Sequence, residues 1–152
     1  MDEHADNGVP AGRLLIIGGG EDRCCGAGVL ERFVELSGGD QARITLVTTA
    51  TGIPDEVHAE YEQVFRKLGV EQTRELRLRG RADADSDAAA AALLDSTGVF
   101  FSGGDQSRIL ALVGSRANDI LREQLGRGLV VAGTSAGATA MGRTMILGGE
   151  GP

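Results

Sequence analysis

Five short apolar runs alternating with amphipathic stretches limit this chain to one class of fold. The runs lie at residues 13–17, 42–48, 73–78, 99–101 and 129–131. The first, Arg13-Leu14-Leu15-Ile16-Ile17, is continuous and stops at Gly18-Gly19-Gly20, which predicts a strand buried on both faces. Between the runs, Val29, Leu30, Phe33, Val34 and Leu36 recur at helical spacing, as do Val57, Tyr61, Val64, Phe65 and Leu68. These predict two helices, closed by Gly38-Gly39 and by Gly69. Asp85-Ser86 is expected to cap an Ala-rich helix over 88–94, and 106–113 with 119–125 read as a broken helix pair. Strands and helices alternating at this interval predict a doubly wound α/β fold, a parallel sheet with helices on both faces.

In that architecture ligands bind beyond the carboxyl ends of the strands, where glycine-rich turns let a backbone approach closely. Three such segments fall there: Gly18-Gly19-Gly20, Gly103-Gly104 and Gly133-Thr134-Ser135-Ala136-Gly137. The last has the form of a nucleophile elbow, in which a buried strand ends in a turn so tight that only small residues flank one serine. With 24 glycines in the chain the G-x-S-x-G pattern alone is weak. Its place after a predicted strand, followed by small residues that allow a helix to pack closely, makes Ser135 the candidate nucleophile. Gly103-Gly104-Asp105-Gln106 can complete an oxyanion hole through backbone N–H groups, or can be a plain strand-to-helix turn with Asp105 as cap. Gly18-Gly19-Gly20-Glu21-Asp22 lacks the spacing and the lysine of a phosphate loop, and its two acids oppose an anion.

Composition removes other function classes. At 152 residues the chain fits one domain, with 1–12 as a flexible leader and 13–152 as the folded unit. Aromatic residues at 3% predict a core of Leu, Val, Ile and Ala. A net charge of −7 without any Lys/Arg block argues against a nucleic-acid partner. No apolar stretch approaches the roughly 20 residues needed to cross a bilayer, and the acidic start is unlike a signal peptide, so no membrane partner and a cytoplasmic location are expected. Cys24 and Cys25 are adjacent and cannot staple distant segments. His4 lies in the leader and His58 on an amphipathic helix. No cluster has metal-ligand spacing, and no cofactor is expected. A serine nucleophile needs a base, and nothing after Ser135 offers one.

Several strings together resemble the cyanophycinase family, serine exopeptidases related to peptidase E. They are residues 14–22, Glu31-Arg32-Phe33, 44–50, Tyr61 with 64–69, Phe100-Phe101-Ser102-Gly103-Gly104-Asp105-Gln106-Ser107-Arg108, and Val131-Ala132-Gly133-Thr134-Ser135-Ala136-Gly137-Ala138. The resemblance implies a class I glutamine amidotransferase-like fold with Ser135 as nucleophile. It also implies hydrolysis of cyanophycin, a polyaspartate bearing arginine on each side-chain carboxyl, to β-Asp-Arg dipeptides. Gly104 and Ala136 match positions suited to oxyanion donors, and Gln106, with Asp105 beside it, to substrate contacts. The implied partner is a peptide or polymer rich in Asp and Arg, and a homodimer is left open. The family's catalytic histidine lies downstream of the serine in an Asp-Gln-His string that has no counterpart here. The chain is therefore expected to be the N-terminal part of a longer product and inactive alone. Alternatives are a peptidase E-like aspartyl dipeptidase and a non-catalytic α/β binding module.

Overall fold

A computed structural model describes residues 12–24 and 28–147. Most of the expected leader, with His4, lies outside the described residues, as do Cys25 and 148–152. The chain forms β1 (Arg13–Ile17), α1 (Gly28–Leu36), a short 3-10 turn (Gly39–Gln41), β2 (Arg43–Val47), α2 (Pro54–Lys67), β3 (Gln72–Leu76), α3 (Arg81–Ala84) and α4 (Asp87–Leu94). There follow β4 (Gly98–Phe101), a 3-10 helix (Gln106–Leu112), α5 (Arg116–Gly126), β5 (Val130–Thr134) and α6 (Ala136–Thr139). The strands make one wholly parallel sheet in the order β1-β5-β4-β2-β3.

Strand order decides which helix covers which face. From β1 to β2 and on to β3 the chain steps one way across the sheet; from β3 to β4 and β5 it steps back. Right-handed crossovers then put α1 and α2 on one face and α3, α4 and α5 on the other. The core divides accordingly. Ile44, Leu46, Phe100, Val130 and Ala132 pack with Leu30, Phe33, Tyr61 and Phe65 of α1 and α2. Val47, Val99, Phe101 and Val131, which alternate with them along the strands, pack with Ala89, Leu93, Ile109, Leu112 and Ala117. The fold is thus the doubly wound α/β arrangement that the alternation predicts.

Three local readings change. β1 is not buried on both faces: Leu14 is 48% and Ile16 69% exposed, because β1 is the end strand of the described sheet and only Leu15 and Ile17 turn toward the α1–α2 layer. The broken helix pair is a 3-10 helix followed by α5, and the one-turn α3 was not expected. The core is also not purely aliphatic. The few aromatics gather in one layer, with the Phe100 ring centroid 4.8 Å from that of Tyr61, 5.5 Å from Phe33 and 5.9 Å from Phe65. The Ser86 cap is as expected, its side chain accepting from the Ala89 N–H.

Phe100 is fully buried at the centre of that layer. Phe100→Ala should cost about 3–5 kcal/mol of unfolding free energy, the range for emptying an aromatic core site. Chemical denaturation checks this, and a loss below about 1 kcal/mol contradicts the central place given to the ring.

Candidate active site

The carboxyl edge of the sheet brings the three glycine-rich segments together around Ser135. β5 is buried along its whole length, Ser135 is exposed, and Ala136 and Gly137 are buried again, so the turn lifts one hydroxyl out of a packed surface. Ser135 has φ 51° and ψ −113°, and it is the one non-glycine residue with positive φ among the described residues. That conformation costs of order 1–3 kcal/mol and persists only where the surroundings impose it. Two close approaches impose it here. A Cβ on Gly133 would stand 2.4 Å from the Gly137 carbonyl oxygen, and one on Gly137 would stand 2.3 Å from that of Phe101. The Ser135 N–H also completes the ladder to β1, donating to the Ile17 carbonyl at 2.9 Å.

The neighbouring loops lie within ordinary van der Waals contact of the serine. Cβ atoms built on Gly103 and Gly19 would lie 3.4 and 3.6 Å from the Ser135 Cβ. Gly104 has φ 139°, and a side chain there would strike the Ala50 carbonyl at 2.1 Å. The Asp105 N–H donates to that carbonyl at 2.8 Å, which fixes the turn. Neither the Gly104 nor the Ala136 N–H donates to an acceptor among the described residues. Both N–H groups belong to segments that meet at Ser135, and neither is spent within the described residues.

The other candidates are engaged in structure. The Asp105 carboxylate caps the 3-10 helix, its Oδ1 accepting from the Ser107 N–H at 2.9 Å, and its hydrogen bonds from Ser107 hold its pKa below the ordinary value. Gln106 donates through Nε2 to the Ile146 carbonyl at 2.9 Å. His58 is half-buried on α2, with Nε2 enclosed and without a hydrogen-bond partner among the described residues. Ser135 Oγ has no hydrogen-bond partner among the described residues. No group of three or more His, Cys, Asp or Glu among them is placed to hold a metal ion, and none of their helices is long and apolar enough to cross a membrane.

One residue of the site escaped the sequence reading. Glu21, counted there only as an acid unsuited to a phosphate loop, has a side chain 1% exposed. Its carboxylate accepts from the Thr134 hydroxyl at 2.6 Å and from the Tyr61 phenol, and it pairs with Arg23 at 3.2 Å. Arg23 in turn reaches Glu60 at 2.8 Å and lies over the Tyr61 ring, 4.6 Å from its centroid. Burial alone would raise the Glu21 pKa, but the bonds from Thr134 and Tyr61 and the Arg23 charge outweigh it and hold the carboxyl below its usual value. Burial and the bond to Glu21 push the Tyr61 phenol far upward, so it remains the donor. The cluster ties the β1 loop and α2 to Thr134, the residue before the serine. A thread running from Glu21 to Tyr61 to Thr134 leaves no periodic trace; the sequence signal was an acid directly after a glycine run at the end of a strand.

A wholly parallel sheet with helices on both faces and a serine at a strained strand-to-helix turn defines a doubly wound α/β protein. The sequence profile of peptidase family S51 matches residues 14–150, and the chain belongs to that family. It is 36% identical over 138 residues to a cyanophycinase of Trichormus variabilis, covering 90% of this chain and 46% of that protein. It is 38% identical over 140 residues to a cyanophycinase of Synechococcus elongatus, covering 91% and 44%. The chain thus spans about half the length of the curated relatives it matches. In fold it is similar to a peptidase from an acI-B1 Actinobacterium, with a TM-score of 0.73 at 23% identity over 87% of this chain and 57% of that one.

The Glu21 cluster predicts a signed pH dependence. A carboxyl whose folded pKa is depressed adds stability above its ordinary value of 4.5, and that stability is lost as pH falls through the folded value. Glu21→Gln should therefore melt several degrees below the parent at about pH 7, and the gap should close on acidification below about pH 4. Thermal melts across that range check it; a gap unchanged by pH contradicts an ionised Glu21.

Proposed function

We propose that this chain carries the nucleophile of a serine-type exopeptidase that hydrolyses cyanophycin to β-Asp-Arg dipeptides. The observation that carries the reading is Ser135, exposed on a strained turn between the Gly19 and Gly103–Gly104 loops with the Gly104 and Ala136 N–H groups unspent. The cyanophycinase relatives supply the substrate.

In this reading Ser135 Oγ attacks the carbonyl carbon of the scissile amide while a base takes its proton. The carbonyl oxygen becomes an oxyanion held by the two N–H groups. Collapse expels the amine, which leaves with the proton, and an acyl ester remains on Oγ. Water, giving a proton to the same base, attacks the ester; the C–Oγ bond breaks as the base returns that proton to Oγ, which releases the acid product and restores the serine. No side chain among residues 12–24 and 28–147 hydrogen-bonds Ser135 Oγ. The resemblance points to a histidine in an Asp-Gln-His segment downstream of the serine, and the proposal assigns the base to such a segment. Asp105 serves by holding the turn on which Gly104 and Gln106 sit, and Gln106 contacts the substrate once its amide leaves the Ile146 carbonyl.

The 152-residue chain should show no turnover of β-Asp-Arg oligomers, whereas a longer version carrying a downstream Asp-Gln-His segment should cleave them. In that longer version Ser135→Ala should remove most activity. Gly104→Val, which displaces one donor, should lower kcat about a hundredfold or more. Gln106→Ala should act chiefly on KM. Steady-state kinetics on the three variants decide it: equal activity of Ser135→Ala and the parent discards the serine mechanism.

A further inference from the structure

A second recess lies on the same edge of the sheet, at the carboxyl ends of β2 and β3. It has a volume of about 440 Å³, and its walls include Thr51, Gly52, Arg77, Arg79 and Arg108. Three arginines line one cavity in a chain whose net charge is −7. They are not equivalent. Arg77 is neutralised by Asp55 and Glu75, each at 2.8 Å. Arg108 spends one N–H on the Thr51 carbonyl at 3.1 Å. Neither Arg108 nor Arg79 forms a salt bridge with a carboxylate among the described residues, although Asp105 lies near Arg108 and Asp83 and Asp55 lie near Arg79. Two exposed guanidinium groups with donors to spare thus border a recess.

Its position relates it to the serine. β5 carries Ser135, β4 lies next to it and β2 next to β4, so the recess is about 10 Å from the elbow at the usual strand spacing. The connection is direct: Thr51 in its wall follows Ala50, whose carbonyl abuts Gly104, and Gly103 abuts Ser135. About 10 Å is the reach of roughly three residues of extended peptide.

We propose that this recess is an anion subsite that receives a free carboxylate of the peptide substrate, such as that of an arginine joined through its amine to an Asp side chain, gripped by Arg79 and Arg108, up to about three residues from the bond held at Ser135. The inference rests on the peptidase reading and deepens it by assigning substrate selection to the β2–β3 side of the site. Guanidinium groups suit this because their forked donors match a carboxylate's two oxygens.

The test uses the 152-residue chain itself, isotopically labelled, with two probes: N-acetyl-triaspartate amide and its triasparagine counterpart. The acidic peptide should shift the backbone amide resonances of Thr51, Gly52 and Arg79 in a saturable way. Arg79→Ala and Arg108→Ala, both exposed positions, should each raise its half-saturation concentration about tenfold, the size of one lost charge-assisted hydrogen bond. The asparagine peptide should bind about tenfold more weakly to the parent and be indifferent to either substitution. Equal titrations by the two peptides, shifts confined to other regions, no binding, or tighter binding of inorganic phosphate than of the acidic peptide each overturns the subsite. Failure here is separable from failure of the peptidase reading. Ser135-dependent turnover without acid–amide discrimination keeps the peptidase and discards the subsite, and discrimination without such turnover does the reverse.

Discussion

The organisation of this molecule depends on how closely its backbone can double back at the end of β5. Gly133 meets Gly137, and Gly137 meets the carbonyl of Phe101 on the adjacent strand, at distances that leave no room for a methyl group. α6 can therefore start directly over β4 and β5, and its first N–H groups face the edge where Ser135 stands. With any side chain at those two glycines the helix would retreat, the turn would relax, and the serine would lose both its strained conformation and its proximity to the Gly103–Gly104 loop. Strain at Ser135 is sustained by tight packing around it, which is how an unfavourable dihedral persists in a folded protein.

The Glu21 cluster is the second support. A carboxylate taken out of water is costly unless every oxygen is occupied. Here both oxygens are engaged, by Thr134, Tyr61 and Arg23. The bonds join the loop after β1, the centre of α2 and the last residue of β5, three segments distant in sequence. Tyr61 belongs at once to this cluster and to the aromatic layer around Phe100. The polar support of the elbow and the apolar core beneath it therefore share a side chain.

Much of this was legible in the sequence, for identifiable reasons. The runs around Ile44 and Phe100 are short and bounded by glycine or polar residues, and α2 carries a clear apolar stripe; periodicity reports such features directly. The turns at Ser135 and Gly104 were legible because close packing at Gly104, Gly133 and Gly137 admits only glycine, and that demand is written in the sequence. What was not legible depends on neighbours. Leu14 and Ile16 look like core residues, and their exposure follows from β1 standing at the end of the described sheet. Glu21 looks like a surface acid until Tyr61 and Thr134 close over it. The arginines at 77, 79 and 108 form no block, because parallel strands bring together residues from separate loops.

The central claim is that Ser135 is the nucleophile. The most direct measurement is mass spectrometry, after reaction with a fluorophosphonate, of a version extended by a downstream Asp-Gln-His segment. The account predicts a single adduct, mapped to the peptide containing Ser135 and absent from Ser135→Ala. Labelling of another residue, or no labelling of a preparation that hydrolyses β-Asp-Arg oligomers, would contradict it.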